Sequence, residues 1–298
     1  MRRGMQKQEL SMIIDFRIRP PYKSFMNLGI IKGWQKGLEP DPRKMKPTGF
    51  ERRFVPSVAE GSLELMVKEM DAAGITHGVI MGRRTNNPVY GDADNADVYE
   101  LAERYPGRFF GFGGIAPTSP AALEEMEHCA KVYGFKGISI DAGWCAPPLQ
   151  GADPAMEPIM ELAEQLGLIV VFTMSAYVGP DLSFTDPSPM LPMLRRYKNV
   201  KVVLAHGCWP KIQEALGVAL LCDNVYLSPD CYFYVRNMPM QMEIARAANS
   251  FLKHRLLFAS SYPIRGFEQC VENWSDRGLD PDSLANSLYN NGAELLGL

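Results

Sequence analysis

No apolar run in these 298 residues approaches the roughly 20 that a membrane span requires. Cysteine pairing motifs are missing too: Cys129, Cys145, Cys208, Cys222, Cys231 and Cys270 include no Cys-x-x-Cys, a spacing that suggests neither a zinc knuckle nor a dense disulfide scaffold. They read as reduced, mostly buried thiols of a cytoplasmic protein. Neither Gly-x-Gly-x-x-Gly nor Gly-x-x-x-x-Gly-Lys-Ser/Thr follows the first strand-like run, so the turn that cradles phosphates in nucleotide-binding folds is absent. A marked excess of charge of one sign is lacking as well. A net charge of -3 and a pI near 5.9 give no global field for nucleic acid or an anionic membrane. The partners this leaves are a small molecule and further copies of the chain.

What is present is apolar and periodic. At 46% hydrophobic the chain is sufficient for one large core. Residues 1–11 are polar, with no apolar stretch before a cleavage site, and read as a leader outside the fold rather than a secretory signal. Residues 12–298 read as a single domain. Strand-like runs occur at 12–16, 77–81, 109–115, 137–140, 169–173, 201–205, 225–228 and 256–259. Helical periods fall between them, at 62–73, 95–105, 120–133, 153–166 and 187–197, and a last helix is expected over 281–296 behind Asp280. Eight strands interleaved with helices predict an α/β fold, a (β/α)8 TIM barrel, over an open doubly wound sheet.

A long loop insertion follows strand 1. Residues 21–57 are rich in Pro, Gly and aromatics and hold eight Lys/Arg (23, 32, 36, 43, 44, 46, 52, 53) against three acids (39, 41, 51). Two readings stand: a solvated or subunit-contact loop, or a lid over the barrel mouth that attracts an anionic substrate.

In such a barrel, side chains at the strand ends form the site. Alternation along strand 1 places Asp15, Arg17 and Arg19 on one side and Phe16 and Ile18 on the other, and with the apolar pair toward the helices the charged set faces inward. Thr173, His206 and Ser261 end or follow strands 5, 6 and 8. Outer candidates are Asp141 after strand 4, Asp230 after strand 7, and Arg83 and Arg84 after strand 2. Trp144, Trp209, Tyr177, Tyr232 and Tyr234 lie in loops after strands, where they either wall an aromatic substrate or pack the loops together. His77, His128 and His254 read as structural.

Several stretches carry a resemblance: Met70-Asp71-Ala72-Ala73-Gly74-Ile75, Tyr105-Pro106-Gly107-Arg108-Phe109, Gly134-Phe135-Lys136-Gly137-Ile138, Leu162-Ala163-Glu164-Gln165-Leu166-Gly167-Leu168, His206-Gly207-Cys208-Trp209-Pro210 and Asn291-Gly292-Ala293-Glu294-Leu295-Leu296-Gly297. In order and spacing the chain resembles the amidohydrolase-related family of metal-dependent TIM-barrel hydrolases and decarboxylases. The resemblance implies an Asp-x-His-x-His motif on strand 1, histidines ending strands 5 and 6 and an Asp after strand 8, together holding a divalent metal. This chain reads Asp15-Phe16-Arg17-Ile18-Arg19, Thr173, His206 and Ser261 at those places. One imidazole with hydroxyls does not supply the three or four ligands of catalytic zinc, and a guanidinium has no lone pair to offer. No metal or other cofactor is therefore expected.

In place of the metal stand two permanent cations with fork-shaped donors matched to a carboxylate or an oxyanion. Without a metal, water keeps a pKa near 15.7 and needs a general base. His206 is the candidate, kept neutral by the nearby arginines. Asp230 and Asp141 are its candidate partners in proton transfer; Arg17, Arg19, Arg83, Thr173, Ser261, Tyr232 and Trp209 are candidate substrate-binding residues. The expected activity is metal-independent hydrolysis of a lactone or amide in a small carboxylated cyclic or aromatic compound. A catalytically silent metabolite-binding relative and a decarboxylase are the alternatives. For Asp15 and Arg17 a simple buried ion pair is the competing reading.

Overall fold

The computed structural model describes residues 12–35 and 54–298. Seven strands form one parallel sheet in sequential order: β1 Ile13–Ile18, β2 Ile75–Met81, β3 Phe109–Ile115, β4 Gly137–Ile140, β5 Ile169–Thr173, β6 Val202–Ala205 and β7 Val225–Ser228. Residues 256–259 close the sheet between β7 and β1. Leu257 N–H donates to the Leu227 carbonyl and Phe16 N–H to the Phe258 carbonyl, each at 2.9 Å, and isolated parallel bridges join Leu227 to Leu256 and Ile18 to Tyr262. The fold is a TIM barrel.

The eighth segment was expected as a regular strand and is not one. Phe258 N–H donates to the Ser287 carbonyl at 2.8 Å, and Ser260 N–H to the Asp15 carboxylate at 2.9 Å. Amides that would extend a ladder are satisfied elsewhere.

Helices α1 Gly29–Gln35, α2 Pro56–Glu60, α3 Leu63–Ala72, α4 Asn95–Arg104, α5 Ala122–Lys131, α6 Glu157–Leu166 and α7 Leu191–Arg196 precede β6. After it come α8 Ile212–Leu221, α9 Cys231–Tyr234, α10 Gln241–Ala248, α11 Phe267–Ser275, α12 Pro281–Ala285 and α13 Asn291–Leu296. Local chemistry sets their ends. The Ser62 side chain caps α3 by accepting from Leu65 N–H at 3.1 Å, and Gly167 ends α6 in the left-handed region at φ 65. The helix expected over 281–296 is interrupted by a π-helical turn, Asn286–Asn290. That turn contains Ser287, whose carbonyl takes the Phe258 amide while its hydroxyl accepts from Trp274 Nε1 at 3.0 Å.

Strand residues divide by alternation into two apolar layers. Ile80, Val170, Phe172, Val202 and Leu204 pack with helix residues such as Met66, Met70 and Ile159. Val79, Met81, Val171, Val203 and Ala205 turn inward, together with Ala293 and Leu296 of α13. A Cβ on Gly292 would meet Ile14 at 3.4 Å, so α13 packs at the end where the strands begin. The opposite end is left for the site.

The strand-1 expectation needs correction. Phe16 lies in the inner layer with Ile14, edge-on to Phe112 at a centroid distance of 5.7 Å. Pairing with β2 is irregular here, Asp15 facing Gly78 and Ile18 facing Ile80, so one extra residue on β1 resets the alternation. Phe16 therefore joins the inner face, Ile18 stays with the helix layer, and the Arg17 and Arg19 guanidiniums still enter the barrel. The Asp15–Arg17 pairing is also different. Asp15 Oδ1 accepts from the main-chain N–H groups of Arg17 at 3.0 Å and Ser260 at 2.9 Å.

Part of the insertion is ordered. A 3-10 turn, Lys23–Asn27, leads into α1, and Phe25, Leu28 and Ile31 are fully buried. Residues 36–53, which carry most of the lid reading, lie outside the described residues.

Candidate active site

Every barrel segment except β3 delivers a polar group to the same end, and the groups meet around two carboxylates. Asp141, after β4, receives Arg19 Nη2 at 2.9 and 3.3 Å to its two oxygens and Arg83 Nε at 3.1 Å, with Arg17 Nη2 at 3.8 Å. Thr173, ending β5, accepts from Arg17 Nη2 at 3.0 Å. Asp230, after β7, accepts from Ser261 Oγ at 2.8 Å and from the Ser228 hydroxyl, and faces Arg17 Nε at 3.7 Å. His206 Nδ1 stands 3.2 Å from Asp230 Oδ2, but no hydrogen bond is aligned between them. Arg17, Arg19, Arg83, Asp141, Asp230 and His206 are all buried.

Burial and fixed charge then set the protonation states. Burial alone would raise the Asp141 carboxyl, but Arg19, Arg83 and Arg17 overcome it and hold it well below the usual carboxylate range. Burial raises Asp230 to about 6, with Arg17, Ser228 and Ser261 pulling the other way. Burial pushes His206 well below its ordinary 6.5, and the charges of Arg17 and Arg19 add to the effect. Asp141 is thus a standing counter-ion and His206 a neutral imidazole. Three guanidiniums against two carboxylates leave the cluster positive.

The backbone at these positions is strained. His206, Asp230 and Ser261 adopt φ of 63, 52 and 49, values in the left-handed region that side chains other than glycine rarely occupy. Such strain persists where surrounding bonds over-determine it, and it gathers at functional sites.

Of the sequence-predicted site residues, Arg17, Arg19, Arg83, Asp141, Thr173, His206, Asp230 and Ser261 meet in this cluster, whereas Tyr177 is exposed and Tyr234 is buried with its hydroxyl donating to the Ser260 carbonyl at 2.6 Å. Arg84 turns away to Glu125 at 3.0 Å and to Asp94. Trp209 stacks on Tyr232 at 4.9 Å, and Tyr232 meets the His206 ring edge-on at 6.0 Å, so one aromatic wall continues into the imidazole. Among the described residues, Trp209 Nε1 and Arg19 Nε are buried donors without a partner. Ser228, which ends β7 two residues before Asp230 and donates to its carboxylate, was overlooked in the sequence reading. So was the work of Trp144: its ring lies 4.3 Å from the Arg83 guanidinium, stacks on Tyr90 at 5.3 Å, and its Nε1 donates to the Tyr177 carbonyl at 2.7 Å. Ring and charge together fix Arg83 against Asp141.

Residues 43–298 match the amidohydrolase family. The chain belongs to that family. A crystal structure of an uncharacterized TIM-barrel protein from Bordetella bronchiseptica is 34% identical and superimposes with a TM-score of 0.84, covering 96% of this chain and 98% of that one. More distant structures share the fold. A probable 2-pyrone-4,6-dicarboxylic acid hydrolase from Acinetobacter baumannii, solved with citric acid bound, is 17% identical at a TM-score of 0.63, covering 96% of this chain and 99% of that one. For 2,6-dihydroxybenzoate decarboxylase from Rhizobium the values are 13%, 0.67, 97% and 99%. A curated relative, 2-amino-3-carboxymuconate-6-semialdehyde decarboxylase of Dictyostelium discoideum, is 27% identical over 134 residues, 38% of this chain and 36% of that protein.

The residues present do not fit the divalent metal that this family implies. Arg17 and Arg19 occupy the strand-1 positions as cations, Thr173 and Ser261 are engaged by Arg17 and Asp230, and among the described residues no three His, Cys, Asp or Glu are grouped to hold an ion.

Proposed function

We propose that this amidohydrolase-family protein is a metal-independent hydrolase that opens the ester or amide bond of a small carboxylated cyclic or aromatic compound. The observation that carries the reading is the positive excess of Arg17, Arg19 and Arg83 beside a buried, neutral His206. Arg17 and Arg19 hold the substrate carboxylate or the carbonyl oxygen on which negative charge develops, a task for which preorganised donors in a dry site suffice. His206 takes a proton from water as the water oxygen bonds to the carbonyl carbon, and returns it to the oxygen or nitrogen that leaves. Forming an imidazolium beside three arginines is unfavourable, and ionised Asp230 next to Nδ1 offsets that cost. Asp141 is too acidic to carry a proton near neutral pH; it spaces the arginines. Tyr232 and Trp209 offer a flat wall to a ring. The fold is compatible, since a probable pyrone-dicarboxylate hydrolase uses it.

A decarboxylase reading is favoured by the partial identity to the Dictyostelium decarboxylase. It uses the same clamp but breaks a C–C bond and releases carbon dioxide. Incubating the purified protein with a panel of lactones and aromatic carboxylates, with mass-spectrometric product analysis and carbon dioxide detection, separates these outcomes. A ring-opened acid supports hydrolysis, and carbon dioxide supports the second reading. Thermal stabilisation by the same compounds without any product identifies a binding protein, because a ligand that binds only the native state raises its stability.

A further inference from the structure

Away from the barrel mouth, α8 and α10 leave a groove of about 380 Å³ between them, lined by Leu216, Leu220, Glu243, Arg246 and Phe251. Its rim is apolar and open: Leu220 is 58% exposed and Leu221 56%. Adjacent exposed leucines beside an open groove mark a contact surface.

Two further observations specify the occupant. Glu243 and Arg246 lie one turn apart on α10, flank the groove and, among the described residues, form no ion pair with each other or with a third residue. Opposite charges one turn apart on one helix can complement themselves: were two copies to meet antiparallel about a two-fold axis, Glu243 of one would face Arg246 of the other. Gly217 lies in the middle of α8, where glycine weakens a helix, yet a Cβ there would meet nothing within 4 Å. Among the described residues no contact demands the glycine. The open face at Gly217 leaves room for a side chain of a second copy to lie across α8.

We propose that a second copy of this chain docks on the α8–α10 groove to form a two-fold dimer. Sedimentation of the full-length protein across the micromolar range tests it. The wild type sediments as a dimer and Leu220→Glu as a monomer, with circular dichroism and melting temperature unchanged because Leu220 is exposed. Glu243→Arg weakens the dimer tenfold or more, and the double exchange Glu243→Arg with Arg246→Glu restores it, which only a self-complementary contact permits. A monomeric wild type, a dimer indifferent to Leu220→Glu, or a double exchange that fails to restore association overturns the proposal. Capture of a different protein by a monomeric wild type overturns it as well.

Discussion

His206 Nδ1 lies 3.2 Å from Asp230 Oδ2, an imidazole pushed well below its ordinary range beside a carboxyl that burial raises to about 6. His206 stays neutral across the working range, so its own titration does not limit activity there. The group that changes charge is Asp230, at about 6.

Turnover should therefore rise with pH through about 6 as Asp230 ionises, and then level off. Asp230→Asn should remove that limb and lower kcat by about 100-fold, the usual scale for an acid–base partner. Rate profiles of the two proteins on whichever panel compound is turned over check this. A limb retained in the variant would assign the titration to another group.

Asp15 predicts a stability effect of definite sign. Burial pushes its carboxyl up to about 7 against the main-chain bonds of Ser260 and Arg17. Between about pH 4 and 7 the folded chain holds a proton that the unfolded chain has released, so this residue's contribution declines as pH rises through that window. Asp15→Asn keeps an oxygen for both N–H groups and removes the titration. Urea denaturation should show the variant about 1–3 kcal/mol more stable than wild type near pH 8, with the gap closing near pH 4. A gap independent of pH would contradict the assignment.

Removing Asp141 strands the buried guanidiniums of Arg19 and Arg83 and leaves Arg17 with Asp230 alone as a counter-ion. Asp141→Ala should cost about 3–5 kcal/mol of unfolding free energy, the scale for breaking a buried pair by deleting one partner. Adding Arg19→Met to it should cost less than the sum of the two single changes, because one uncompensated charge is then gone. Strict additivity in denaturation midpoints would show that the arginines do not share Asp141.

Metal content gives a separate check. Elemental analysis should find zinc and manganese far below one per chain, and dialysis against a chelator should leave the melting temperature and any turnover unchanged. A stoichiometric divalent ion would remove the basis for a water-activating histidine.

Much of the barrel was readable because short apolar runs alternating with helical periods have few other solutions. The residues at strand ends followed from counting. What escaped depends on register and on distant main chain. The extra residue in β1 that turns Phe16 inward leaves no mark in its own sequence, since Ile14, Phe16 and Ile18 are equally apolar. The eighth segment reads as a strand in composition, but Ser287 and Asp15 take its amides from far along the chain. Asp141 was expected to carry protons because its place after β4 is visible, while the three cations that converge on it come from β1 and the turn after β2. Trp144 could be placed in a loop but not over Arg83.

Calorimetric titration of 2,6-dihydroxybenzoate and 2-pyrone-4,6-dicarboxylate into wild type and Arg19→Met tests the arginine clamp most directly. At least one carboxylate should bind the wild type and lose about tenfold or more in affinity to the variant, as expected when a charge-assisted bond is removed. Equal affinity for the two proteins, or binding that is improved by the substitution, would contradict the clamp.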